Sequence, residues 1–215
     1  MKLIKYSLHT GKENMQIDSD LLENAILNKS SEPVFRLYGW SPKCVSLGRN
    51  QSQISTASGI DIVRRITGGR ALLHDNEVTY SYISPISVIP DGESVIQSYK
   101  YISGFLINFF KTLNIELDFG GEKKGASSHD YCMLISTGAD VCYKGRKIIG
   151  SAQCRKQGYL LQHGSILFDY DKELLENLFN ENVSANSICT INEILPDLSR
   201  EDFVKKFEEF ITNEL

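Results

Sequence analysis

The stretch Ala139-Asp-Val-Cys-Tyr-Lys-Gly-Arg-Lys-Ile-Ile-Gly-Ser-Ala-Gln-Cys-Arg-Lys-Gln-Gly-Tyr-Leu-Leu-Gln-His-Gly-Ser-Ile-Leu-Phe168 decides the fold. It divides into three strand-like runs, 139–144, 146–153 and 159–168, joined by Lys144-Gly145 and by Lys156-Gln157-Gly158. Glycine in so short a connection reads as a hairpin turn, so consecutive antiparallel strands are expected. Working outward, short β-rich runs stand at 34–38, 44–48, 61–65 and 78–84. In the last of these Val78, Tyr80 and Tyr82 alternate with Thr79, Ser81 and Ile83, so one face should meet the core.

Helical spacing is clearest over 94–113, where Val95, Tyr99, Ile102, Leu106, Phe109 and Leu113 recur on one side. A helix at 19–29, opened by Ser19 or Asp20 with Leu22, Ile26 and Leu27 on one face, and helices at 171–179 and 199–213 complete the pattern. Strands, hairpins and helices mixed in this way predict an α/β (α+β) fold, a mixed β-sheet sandwich with flanking helices. A chain of 215 residues with 41% hydrophobic content and no repeat of fixed period is expected to be a single domain over 1–215.

The N-terminus carries no apolar run of leader length and nowhere do about 18 apolar residues follow one another, so a soluble cytoplasmic protein without a membrane partner is expected. Five cysteines, at 44, 132, 142, 154 and 189, form no Cys-x-x-Cys pair; reduced thiols and no metal site are expected. The net charge is -4, unevenly spread. Residues 123–156 hold seven Lys or Arg against two Asp, a balance of +5, and residues 171–215 hold four against eleven, a balance of -7. A basic segment on an acidic protein suits acidic protein partners or small anions, not a nucleic-acid backbone.

Two segments carry the chemistry. Arg64-Arg65-Ile66-Thr67-Gly68-Gly69-Arg70-Ala71-Leu72-Leu73-His74-Asp75 and Gly145-Arg146-Lys147-Ile148-Ile149-Gly150-Ser151-Ala152-Gln153 each join a glycine turn to fixed cations. That combination wraps a carbonyl or phosphate group and points to acyl transfer. With 34–40, 46–51 and 161–167, these segments make five motifs in order, and over about residues 15–195 the chain resembles the biotin/lipoate protein ligase family. The resemblance implies that family's catalytic-domain fold and the modification of a lysine on a small carrier domain. Arg70 stands where ligases usually have a third consecutive glycine, and Cys132 lies thirteen residues before Gly145, at a spacing similar to the nucleophile of the cysteine-dependent octanoyltransferases.

The resemblance therefore implies transfer of an octanoyl group from acyl carrier protein to a lipoyl carrier domain, such as a glycine cleavage H protein or a dehydrogenase E2, in lipoate biosynthesis. Cys132 is the expected nucleophile, on a polar, glycine-flanked loop beside cations. Lys147, just past a hairpin turn, is expected to polarise the acyl carbonyl and manage charge and proton. Arg64, Arg65, Thr67, Gly68, Gly69 and Arg70 are expected to wall the acyl tunnel, with His74 bracing that loop. Gly150, Ser151, Ala152, His163 and Gly164 supply small or wall residues, which leave a slot for an acyl chain or merely permit close strand packing.

Alternatives stand beside these assignments. Cys132 is otherwise a small residue packed under a loop, and Cys189 is the rival nucleophile. His74, His129 and His163 are candidates for proton transfer, His163 being otherwise a core or substrate-wall residue. A lipoate-protein ligase would use ATP, with Mg, and would not need Cys132, whereas the transferase needs no cofactor. A transferase between two carrier domains and a non-catalytic carrier-binding relative complete the readings.

Overall fold

A computed structural model describes residues 1–52, 59–121, 133, 140–180, 182, 184 and 187–214. The three runs quoted above are strands β8 (Val141–Tyr143), β9 (Arg146–Lys156) and β10 (Tyr159–Leu167), and they pair antiparallel in sequence order. Both connections turn through two residues of positive φ, Lys144 (48°) and Gly145 (76°), then Gln157 (49°) and Gly158 (80°). That is the geometry which matches the natural twist of paired strands.

These strands belong to a seven-stranded mixed sheet of order β1-β2-β6-β10-β9-β8-β7, adding β1 (Lys2–His9), β2 (Val34–Trp40), β6 (Glu77–Pro85) and β7 (Asp118–Phe119). A second sheet, β4-β3-β5, consists of Asp61–Arg64, Cys44–Leu47 and Leu72–His74. The mixed sheets and flanking helices are the α/β sandwich expected of the sequence.

One face of the large sheet packs on α2 (Val95–Thr112) and on the last helix, α5 (Arg200–Asn213), through Phe35, Leu37 and Tyr80 against Ile102, Phe109 and Phe207. The rings of Phe109 and Phe207 stack with centroids 4.3 Å apart. Each such side chain removed from water stabilises the fold by about 1.5–3 kcal/mol. The other face meets α1 (Gly11–Leu27) and the small sheet; α3 (Lys172–Phe179) packs on the small sheet with Leu175 and Leu178, and α4 (Ile191–Ile194) is a single turn.

Three expectations are corrected. The first helix starts at Gly11, not near Ser19, because Thr10 and Glu13 form a capping box. Its first turns bury Asn14 and Asp18, polar residues that apolar periodicity does not count, and Leu27 is exposed. β1 was not anticipated; it runs parallel to β2, which the crossover through α1 makes possible. Finally, β6 buries both faces, since Thr79, Ser81 and Ile83 lie under α1 and the small sheet.

Candidate functional site

A narrow, chiefly apolar slot of about 420 Å³, measured out to its mouth, lies between the two sheets. Its floor is a row of side chains aligned across four strands of the large sheet, Tyr38 on β2, Thr79 on β6, Ser165 on β10 and Gly150 on β9. With strands about 4.8 Å apart, three spacings give a row of about 14 Å. Ala152 and His163, paired on neighbouring strands, and Ser151 with Gly164 line it as well. Ser46, Leu72 and His74 of the small sheet, with Arg65, form the opposite wall.

At the β9 end stands Lys147. Its backbone is held on two sides: its amide donates to the Ser187 carbonyl at 3.0 Å and its carbonyl accepts from Cys189 at 2.9 Å, while β8 pairs beside it through Cys142. The side chain is buried, with Nζ 3.0 Å from Oδ2 of the equally buried Asp140. The side chain does not itself line the slot. It reaches the slot wall because residue 150 is glycine: a Cβ there would stand 3.1 Å from Lys147 Cε, 3.4 Å from Nζ and 2.7 Å from Met133 Sδ. A cation held out of water interacts more strongly with a nearby negative charge than one in water, and the charge it meets here is the Asp140 carboxylate.

Beneath the slot lies a buried polar network. Asp18 of α1 accepts four hydrogen bonds: Arg36 Nη1 (2.7 Å) and Ser81 Oγ (2.9 Å) at Oδ1, Tyr38 Oη (2.9 Å) and His163 Nδ1 (3.1 Å) at Oδ2. Burial alone opposes ionisation of Asp18, yet hydrogen bonds and charge from His163 and Arg36 outweigh it and hold the carboxyl below its ordinary value. The other ring nitrogen of His163, Nε2, lies 2.7 Å from Thr67 Oγ1. Thr67 of the glycine loop is thereby tied to α1 through β10.

The glycine loop is fixed by its own arginine. Arg65 donates to the carbonyls of Gly68, Arg70 and Ser46 and to Ser46 Oγ. Ser46 Oγ also lies 2.8 Å from His74 Nε2, and His74 Nδ1 faces Glu77, with the imidazole stacked on Trp40 at 3.7 Å. Burial pushes the His74 pKa down, against the pull of Glu77, so the ring is neutral and Ser46 donates to it. Gly48 fits against this loop because any Cβ there would overlap the Gly69 carbonyl.

Of the residues singled out in the sequence, Arg65, His74, Gly150, Ser151, Ala152, His163 and Gly164 meet at the slot. Thr67 lies one hydrogen bond behind it, and Gly68, Gly69 and Arg70 are held by Arg65 through Gly68 and Arg70 carbonyls. Arg64 is placed elsewhere: its guanidinium donates to the carbonyls of Gly48, Arg49 and Gln51, and it lines an outer groove rather than the slot. Cys132 and His129 lie outside the described residues, although Met133, the next residue along the chain from Cys132, lines the slot. Cys189 is buried in the main core, and burial raises its thiol pKa despite the nearby Arg146 guanidinium. A buried thiol of that kind is a poor nucleophile. Cys44, likewise buried, is pushed up to about 12.

Sequence reading missed Asp18, Asp140 and Met15. The Thr10-x-x-Glu13 capping signature would have extended α1 back over Met15 and Asp18; no local signal pairs Asp140 with Lys147. Among the described residues no three His, Cys, Asp or Glu side chains are grouped to hold a metal, and no helix is long and apolar enough to cross a membrane.

The sequence matches the model of the lipoyl protein ligase A/B catalytic domain over residues 10–212. An octanoyltransferase LipM from Carboxydothermus hydrogenoformans is 38% identical over 181 residues, covering 81% of this chain and 67% of the relative. One from Staphylococcus epidermidis is 36% identical over 217 residues, covering 93% and 75%. The chain thus spans about two thirds to three quarters of the length of these relatives. A lipoate-protein ligase A crystal structure bound with ATP superposes with a TM-score of 0.72 at 18% identity, over 99% of this chain and 84% of that one. At that identity the likeness is one of fold.

Proposed function

The chain belongs to the lipoyl protein ligase A/B catalytic-domain family, and from that premise we propose that it is an octanoyltransferase of lipoate biosynthesis. It takes the octanoyl group from acyl carrier protein and passes it to a lysine of a lipoyl carrier domain, in the cytoplasm and without a cofactor. The observation that carries this reading is the narrow apolar slot that ends at Gly150, against the buried ammonium of Lys147. The slot holds the extended chain and the ammonium faces the acyl oxygen.

Cys132 is the nucleophile in this reading, supported by its spacing from Gly145 and by Met133 on the slot wall. Its thiolate attacks the donor thioester; the carbon–sulfur bond to the carrier breaks, and the carrier thiolate leaves and takes a proton. The acceptor lysine amine then attacks the new thioester, an amide forms, the amine proton is released and the Cys132 thiolate is regenerated. Each collapse passes through an oxyanion that Lys147 stabilises. Thioester exchange is nearly balanced and amide formation runs downhill, so the sequence of steps needs no ATP.

Incubation with octanoyl-acyl carrier protein followed by intact-mass measurement tests the reading. The protein gains one octanoyl group, and Cys132→Ser gains none. Transfer that persists unchanged in Cys132→Ser, or that demands free octanoate with ATP, would overturn it.

A further inference from the structure

The slot closes at its β2 end on one flexible side chain. Beside it an open groove runs between α1 and β4, lined by the apolar Ile62, Val63 and Ile66 and by the polar Lys12, Gln16 and Asp61. Met15 is the residue common to the linings of the slot and the groove among those described. It packs against the cluster of Tyr38, Trp40 and Cys44, with Val63 on the groove side.

The backbone that carries Met15 is fixed. Asn14, its neighbour, is buried, donates to the Gly39 carbonyl at 2.9 Å and accepts from Arg36 Nη2 at 2.6 Å; Asp18, one turn on, anchors the network under the slot. The partition between the two spaces is therefore the thioether side chain and not the helix, and methionine is the most readily displaced of large apolar side chains.

The floor row measures the distance to that partition. From Gly150, next to Lys147, to Tyr38 is about 14 Å. An all-trans alkyl chain, with bonds of about 1.5 Å meeting at about 111°, advances roughly 1.25 Å per bond, so the seven carbon–carbon bonds of an octanoyl group span about 9 Å before the radii of the carbonyl and methyl ends are added. A medium-length chain fills the row, and a longer one meets Met15.

Resting on the octanoyltransferase reading, we propose that Met15 is the specificity-determining residue for acyl-chain length: it ends the slot, and its removal joins the slot to the groove along Ile62, Val63 and Ile66. Longer saturated chains then thread past α1 over Ile62, Val63 and Ile66. A bulkier side chain shortens the slot instead.

The test measures binding of hexanoate, octanoate, decanoate and dodecanoate by calorimetry, alongside transfer from acyl carrier protein loaded with the same chains, for the wild type, Met15→Ala and Met15→Phe. Each added methylene that reaches apolar surface improves affinity about fourfold. Met15→Ala is expected to raise the decanoate-to-octanoate preference at least about tenfold, and Met15→Phe to shift preference towards hexanoate. Unchanged ratios in a Met15→Phe protein that still transfers octanoyl would overturn the gate and leave the transferase reading intact. Shifted ratios in acid binding with no transfer by any variant would uphold the gate and sink the transferase reading. No binding and no transfer in the wild type would sink both.

Discussion

Replacing Asp18 by Asn changes one oxygen for an amide nitrogen and tests whether the network beneath the slot holds the site together. The carboxylate accepts four hydrogen bonds from four donors, and the amide oxygen can keep only the two at one position. The amide nitrogen, itself a donor, then faces two donors, and Arg36 is left as an uncompensated buried cation. Breaking a buried pair by removing one partner costs about 3–5 kcal/mol. For a folded unit of about 150–250 residues that corresponds to a fall in Tm of about 6–20 °C. Tyr38→Phe removes a single hydroxyl donor from the same carboxylate and should cost only about 1.5–3 kcal/mol.

The effect depends on pH in a defined direction. Because the Asp18 carboxyl titrates below its ordinary value in the folded protein, its contribution is complete above the unfolded value of about 3.9 and fades as pH falls through the folded value. Thermal unfolding followed by circular dichroism at pH 7 and at successively lower pH measures both quantities. An Asp18→Asn protein that melts within about 2 °C of the wild type at pH 7 would refute the account, as would a penalty that already vanishes near pH 6.

Gly150→Ala places a methyl 2.7 Å from Met133 Sδ and 3.1 Å from Lys147 Cε, so octanoyl transfer in single-turnover assays should slow by about 10²-fold with the fold retained. Cys189→Ala should leave octanoyl loading unchanged, and iodoacetamide at pH 7.5 should not alkylate Cys189 in the folded protein, which peptide mapping checks. Arg146→Ala removes a partly exposed bidentate pair with Glu193 and should cost no more than about 1 kcal/mol in urea unfolding.

What the sequence made legible follows from which physical signals are local. Hairpin turns at Lys144-Gly145 and Gln157-Gly158 and the caps at Ser94, Asp171 and Ser199 are decided within a few residues, and the elements they bound lie within a few residues of where pattern reading puts them. The start of α1 went unread because its inward residues, Asn14 and Asp18, are polar and find their partners on β2, β6 and β10. Apolar periodicity is blind to a helix face whose burial is satisfied by hydrogen bonds from elsewhere. Val95 shows the opposite failure: it fits the helical stripe of α2 yet is half exposed, while the first turn meets β9 through the buried Ser98 hydroxyl, which bonds Gln153 and Arg155.

The same cause separates the two kinds of site residue. Glycine turns, the paired arginines and Lys147 announce themselves because each answers a local demand, a turn, a loop staple or a strand-borne charge. Asp18, Asp140 and Met15 owe their roles to what the fold brings opposite them, namely His163 across 145 residues, the Lys147 side chain, and a groove between α1 and β4. Thr79, His163 and Ser165 show how the two kinds combine. Alternation alone marks their strands, but it does not reveal that the polar face is the buried floor of a slot. Those polar atoms can be buried beside an otherwise apolar slot because each meets a partner, Trp40 and Ser165 for Thr79 and Asp18 and Thr67 for His163, so the His163 wall depends on the helix whose beginning the sequence hides best.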